Sequence, residues 1–191
     1  MTTIPNGIDP ENAIMAPWHD IDPSEGGEIS YTISGTAPNR RFLVTWCAIP
    51  MFDCTNLLNT SQVVLHEGSN KIEMFLKNKT LCIGWQGGGA VQGLVNATST
   101  NSDIVIDPGS GTPRNNSQWT ATDEGWEFIP NGTTSYTINS IPYVPIIAGL
   151  VNWYDDPALT NLIGSGPSLP INLTSTGIYT YYAQISGSCS P

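Results

Sequence analysis

Ala16-Pro17-Trp18-His19-Asp20-Ile21-Asp22-Pro23, then Glu28-Ile29-Ser30-Tyr31-Thr32-Ile33-Ser34, then Arg41-Phe42-Leu43-Val44-Thr45-Trp46: these three segments decide the fold. The first is an acidic turn closed by proline. The second alternates Ile29, Tyr31 and Ile33 with polar residues, which is the period of a strand with one buried face. Gly35-Thr36-Ala37-Pro38-Asn39 is a tight turn by composition, since glycine, proline and asparagine each favour turn dihedrals. Phe42, Val44 and Trp46 then alternate along a second strand. A hairpin over 28–46 is therefore the seed to which the remaining chain adds strands.

Working outward, the same period predicts strands at 61–67 and 71–77, separated by His66-Glu67-Gly68-Ser69-Asn70 with Gly and Asn placed for positive φ. Strands follow at 81–85, 90–96, 102–107, 126–129 and 135–138. Residues 1–15 read as an edge strand or an ordered lead-in. Gly87-Gly88-Gly89 fits no phosphate-cradle frame and reads as a flexible hairpin tip. Residues 107–118 form a long polar loop. Ile141-Pro142-Tyr143-Val144-Pro145 is stiffened by its prolines and marks a boundary. The expected organisation is all-β: a β-sandwich over 1–140, then a short Ig-like β-module over 141–191, with strands at 150–154, 159–163 and 177–185.

Composition agrees. Of 191 residues only 12% are charged, while 19 are glycine and 15 proline. Such a chain suits short strands and turns and makes poor long helices. Six basic residues against sixteen acidic ones leave a net charge of −10. Without a basic stripe to neutralise phosphates, nucleic acid is excluded as a partner, and an anionic membrane surface is disfavoured. No apolar run is long enough for membrane insertion, and the polar start after Met1 has no signal-peptide pattern. The chain reads as a piece of a longer exported polypeptide.

Four cysteines, at 47, 54, 82 and 189, contain no C-x-x-C pair. Cys47 and Cys54 flank a short turn and are the expected disulfide. Cys82 is the next partner for either, Cys189 stands near the end, and four reduced thiols are the alternative. Asp20, Asp22 and Glu25 form the densest set of oxygen ligands, a candidate Ca²⁺ loop; the competing role is capping of backbone N–H groups in an Asx turn. Trp85, Gln86 and Trp119 are candidate glycan-binding residues, because indole faces stack on pyranoses and planar amides bond hydroxyls. Trp18, Trp46 and Trp126 sit in apolar alternation and are expected in the core. His19 and His66 lie outside any nucleophile frame. Asp123-Glu124 and Asp155-Asp156 are adjacent pairs that would point to opposite faces of a strand. No catalytic set emerges, and a hydrolase is the weakest of the readings.

Ala16-Pro-Trp-His-Asp-Ile-Asp, Ile29-Ser-Tyr, Gly35-Thr-Ala-Pro-Asn-Arg-Arg-Phe, Val44-Thr-Trp, Ser61-Gln-Val-Val-Leu-His-Glu-Gly-Ser-Asn-Lys-Ile-Glu and Trp126-Glu-Phe-Ile-Pro carry a family resemblance. In that order they resemble secreted Bacteroidetes surface proteins of the gliding-motility-adhesin type, cargo of type IX secretion. The first 140 residues also look like a divergent nidogen-type extracellular domain. Trp153-Tyr-Asp and Tyr179-Thr-Tyr-Tyr-Ala are similar to the Ig-like modules that follow in such proteins. The resemblance implies export, display at the cell surface, and adhesion to surface glycans or other extracellular proteins. It supplies no catalytic residues.

Overall fold

A computed structural model describes residues 2–7, 11–145, 150–165, 169–173 and 175–186. The chain divides into two compact units, 1–146 and 147–190. In the first, strands run in the order β1 (Ala13–Trp18), β2 (Glu28–Ser34), β3 (Arg41–Met51), β4 (Cys54–His66), β5 (Ile72–Lys79), β6 (Ala90–Val95), β7 (Ser102–Ile104), β8 (Asn115–Ser117), β9 (Ala121–Asn131) and β10 (Ser135–Ile141). The larger sheet is antiparallel with order β10-β9-β5-β4-β3-β2. The smaller has order β1-β6-β7, with β8 also paired to β6.

Alternation on the strands makes two inner faces that pack on each other, as in aligned sandwiches. Val63, Ile72, Met74, Trp126 and Phe128 of the large sheet meet Ala16 and Leu94 of the small one. The outer face of the small sheet is covered by the lead-in, whose Ile4 packs on Met15, Val91 and Val95. Ile141 and Tyr143 cover part of the outer face of the large sheet, over Leu43, Val64 and Phe75. Gly125 permits that crossing, since a Cβ there would stand 2.7 Å from the Pro142 carbonyl oxygen.

The hairpin of β2 and β3 is present in unbroken register from Glu28↔Cys47 to Ser34↔Arg41. The turn at 66–70 has Gly68 and Asn70 at positive φ, as their positions require. One expectation reverses. Ile29, Tyr31 and Ile33 are exposed, because the four-stranded sheet is narrower than the six-stranded one and leaves the β2 edge uncovered. Residues 81–85 form no strand; they lead into a 3-10 turn at Gln86–Gly88. The triple glycine is not a free tip either. Gly88 is buried with φ +69°, and a Cβ there would lie 2.5 Å from Leu81 Cδ1.

The second unit, taken by itself, is a three-stranded antiparallel sheet of order β12-β11-β13: β11 (Leu150–Tyr154), β12 (Leu162–Ser165) and β13 (Tyr182–Ser186). Tyr154 is its buried aromatic among the described residues. The Asp156 carboxylate accepts from the Thr160 and Asn161 N–H groups and shapes the turn into β12.

The disulfide differs from the expected Cys47–Cys54. Cys54 pairs with Cys82. In the β3–β4 hairpin Cys54 stands opposite Met51. Cys47 is four residues farther along β3, roughly 13 Å away at strand spacing, beyond disulfide reach. Cys47 is nevertheless not free, and Cys189 lies outside the described residues. The Cys54–Cys82 bridge fastens the loop before β6 to the end of the long hairpin across a separation of 28 residues. The double variant Cys54→Ala/Cys82→Ala is expected to lose about 3–4 kcal/mol on loop-closure arithmetic, measured by urea denaturation. A loss below about 1 kcal/mol would show that the bridge does not constrain the unfolded chain as this arithmetic assumes.

Candidate functional site

The acidic turn is zipped onto the end of the β3–β4 hairpin. Phe52 N–H donates to the Asp20 carbonyl (3.1 Å), Asp22 N–H donates to the Pro50 carbonyl (2.8 Å), and Ile21 bridges Met51. The Cys54–Cys82 bridge brings the 81–88 loop to the same end. There Trp85 packs against Phe52 with ring centroids 4.7 Å apart and planes tilted by 52°, and its indole N–H donates to the Asp20 carboxylate. Gln86 Nε2 donates to the same carboxylate oxygen at 3.5 Å. Gln86 has φ +46°, a left-handed conformation uncommon for a non-glycine residue. The Gly87 carbonyl accepts from Gln118 Nε2 (2.8 Å), which pins the loop. Trp18, His19, Asp20 and Gln86 line a depression of about 200 Å³ beside the indole.

His19 is among the residues lining this depression; it is buried, and its Nδ1 has no hydrogen-bond partner among the described residues. Burial, with the nearby Lys79 charge, pushes its pKa down to about 3, so the imidazole is neutral across ordinary pH.

The structure does not bring the carboxylates of Asp20, Asp22 and Glu25 together. Asp22 Oδ1 accepts from the Ser24 N–H (3.0 Å) and hydroxyl (2.5 Å), capping the 3-10 turn at Pro23–Glu25. Asp20 faces Trp85 instead. Among the described residues no three His, Cys, Asp or Glu side chains are grouped to hold a metal ion. The capping role is the one the structure displays.

The glycan pair is also divided. Trp85 is 38% exposed, whereas Trp119 is only 6% exposed and is part of the core. Trp119 is enclosed by cations: Arg114 lies 4.1 Å and Lys79 4.8 Å from its ring centroid. Its indole N–H donates to the Ala90 carbonyl (3.3 Å), and its own carbonyl accepts from Lys79 Nζ (2.9 Å). Trp126 is buried as expected; Trp18 and Trp46 are half-buried.

Trp119 belongs to a polar cluster that the sequence does not announce. Arg114, almost fully buried, forks onto Asp107 Oδ2 (2.9 and 3.0 Å) and onto Glu124 (2.7 and 3.0 Å), and donates to Gln92 Oε1 (2.7 Å). Burial pushes the Asp107 carboxyl up, but the Ser110 N–H and hydroxyl together with the Arg114 guanidinium hold it below the usual carboxylate range. Lys79 is pushed down to about 8 by burial and by the Arg114 charge. Arg114 sits in the polar 107–118 stretch and Lys79 ends an alternating run. Neither position carries a local pattern that sets it apart from a solvated cation.

The adjacent carboxylates diverge. Asp123 pairs with Lys77 at the surface while Glu124 turns in to Arg114; Asp155 accepts from Asn161 and Asp156 caps its turn. His66 Nε2 sits 2.7 Å from Glu73, which also pairs with Lys71 (2.6 Å). That triad borders a cleft of about 500 Å³ lined by Ile14, Leu65, Ile72 and Tyr136.

Fold and site together define a disulfide-stapled antiparallel β-sandwich with a buried cationic cluster between its sheets. The chain belongs to the NIDO-related family, whose model matches residues 1–155, thus the whole first unit and β11. No curated protein and no solved structure matches it. Family and disulfide fit an extracellular, adhesion-type module. No helix among the described residues is long and apolar enough to cross a membrane.

Removing Arg114 tests the cluster. Arg114→Met leaves the half-buried Asp107 and Glu124 without their cation and is expected to cost about 3–5 kcal/mol, read from the denaturant midpoint. A cost within 1 kcal/mol would mean roughly that the carboxylates reach water without it. The pH dependence has a definite sign. Unfolded His19 takes a proton near 6.5, the folded one near 3. Its contribution is therefore complete above pH 6.5 and is lost as pH falls toward 3, by roughly 1.4 kcal/mol per unit. His19→Gln should flatten that limb of the stability–pH curve, and an unchanged slope would assign the limb to other groups.

Proposed function

We propose that the chain is a non-catalytic extracellular module of a large cell-surface adhesin, serving adhesion or structural display. Export as type IX secretion cargo and a role beside gliding motility belong to the same reading. The observation that carries it is the Cys54–Cys82 disulfide in a member of the NIDO-related family. Cystine persists in oxidising, extracytoplasmic compartments. The disposition of charge supports it: five of the six cations are held, four by carboxylates and Lys79 by the Trp119 carbonyl, and both histidines are held, one neutral in the core and one against Glu73.

The second reading, a carbohydrate-binding module, is favoured by one feature. Trp85 is an exposed aromatic with Gln86 and Asp20 beside a small depression, the combination of stacking face and planar polar groups that sugars require. Trp119 no longer takes part, so the platform would be a single indole.

Microspheres coated with the chain, exposed to abiotic and cell surfaces, together with a glycan array of the soluble chain, separate the two. Attachment that persists in Trp85→Ala, with a blank array, is the expected result. An array signal that Trp85→Ala weakens by about tenfold or more, equivalent to about 1.4 kcal/mol, would replace adhesion by carbohydrate recognition. No attachment and no array signal would overturn both.

A further inference from the structure

The uncovered margin of the large sheet is organised as an interface. β2 is its terminal strand, and its outer backbone edge pairs with no strand among the described residues. On the side that faces the core elsewhere, Ile29, Tyr31 and Ile33 are 49, 77 and 61% exposed, and Phe42 on β3 is 36% exposed. At roughly 200 Å² per large side chain these fractions amount to about 450 Å² of contiguous apolar surface, at the size where a monomer's patches are usually functional. The strand carries no lysine, proline or bulge to blunt its free edge, and its one charge is Glu28 at the end; its register with β3 is unbroken over seven residues.

We propose that β2 pairs with β2 of a second copy of this chain, antiparallel and about a two-fold axis at Tyr31. The segment is self-complementary about that residue. Tyr31 meets its own mate, Ile29 meets Ile33, Ser30 meets Thr32 and Glu28 meets Ser34, so apolar residues meet apolar ones and no like charges oppose. Charge complementarity then selects this partner and this register. Arg41 lies beside Ser34 in the β2–β3 ladder and on the same face. In the pair, Glu28 of one copy, Ser34 of the other and Arg41 of that other copy form one row. Two strand spacings, about 10 Å between Cα atoms, separate Glu28 from Arg41, a span these two long side chains bridge.

Arg41 is also the cation left over. Of six basic residues, Arg40, Lys71, Lys77 and Arg114 have carboxylate partners and Lys79 is held by the Trp119 carbonyl. Among the described residues Arg41 alone has no such contact. A pairing of this extent lies near the low end of specific interfaces, about 1,200 Å² or less in total, and so makes a weak, reversible dimer. It is independent of what the module adheres to.

Sedimentation equilibrium of the 191-residue chain at physiological salt should show concentration-dependent growth from 20.5 kDa toward twice that mass, with half-association in the micromolar range. Tyr31→Lys, at an exposed site, should abolish it without moving the thermal midpoint. Arg41→Glu should weaken association by about tenfold or more, and Glu28→Arg/Arg41→Glu should restore it to within about threefold, as coupled charges do. A wild-type chain that stays monomeric to several hundred micromolar, on the order of a −5 kcal/mol association limit, overturns the proposal and leaves the margin to another partner. So does a dimer indifferent to Tyr31→Lys, or a charge reversal that fails to rescue.

Discussion

The sandwich is bolted through Arg114. Its main chain belongs to the small-sheet side: Arg114 N–H donates to the Val105 carbonyl, and its own carbonyl accepts from Gln92 N–H. Its side chain reaches the large sheet at Glu124 on β9. A buried guanidinium costs several kcal/mol to desolvate and is tolerated only when its donors are all answered. Here two carboxylates, a glutamine oxygen and two indole faces answer it. The contact contributes less to gross stability than to uniqueness. An apolar pairing of the two sheets tolerates sliding, whereas a forked guanidinium between Asp107 and Glu124 permits one relative position.

That fixed position has a consequence at the far side of the sheet. The small sheet is held over β10, β9, β5 and β4, reaching β3 at Trp46 and ending at β1, so the β2 margin lies beyond its cover. Burial of the Ile29, Tyr31 and Ile33 face would need a wider small sheet or something from outside the fold. Exposure at β2 is thus a result of where the bolt lies rather than a defect of the strand.

Much of the architecture was legible because strands write a period of two. The β2–β3 hairpin, the 66–70 turn and the buried Trp126 all follow from alternation and turn chemistry. What alternation cannot say is which face will find a partner. Ile29, Tyr31 and Ile33 have the pattern of core residues, and only the relative widths of two sheets expose them. Nor does it report pairings across the chain. Trp119 stands between polar neighbours and looked like a surface indole, because the cations that enclose it come from β5 and from the 107–118 stretch. The disulfide went to the sequence-distant Cys82 since Cys47 and Cys54 point from well-separated rungs of one hairpin. Asp22, by contrast, was readable as a turn cap from local sequence alone, and the cap it makes is local.

The fold also changes what the net charge means. Composition counts six cations against sixteen acids. Two of the cations, Lys79 and Arg114, are removed to the interior, and Arg40, Lys71 and Lys77 are matched by neighbouring carboxylates. An approaching molecule therefore meets a surface on which nearly every positive charge is hidden or neutralised locally. Polyanions gain no counterion release from such a surface, and long-range steering favours cationic or neutral partners. Recognition must come at short range, from apolar margins and planar polar groups, with Arg41 the one positive charge still available to set a register.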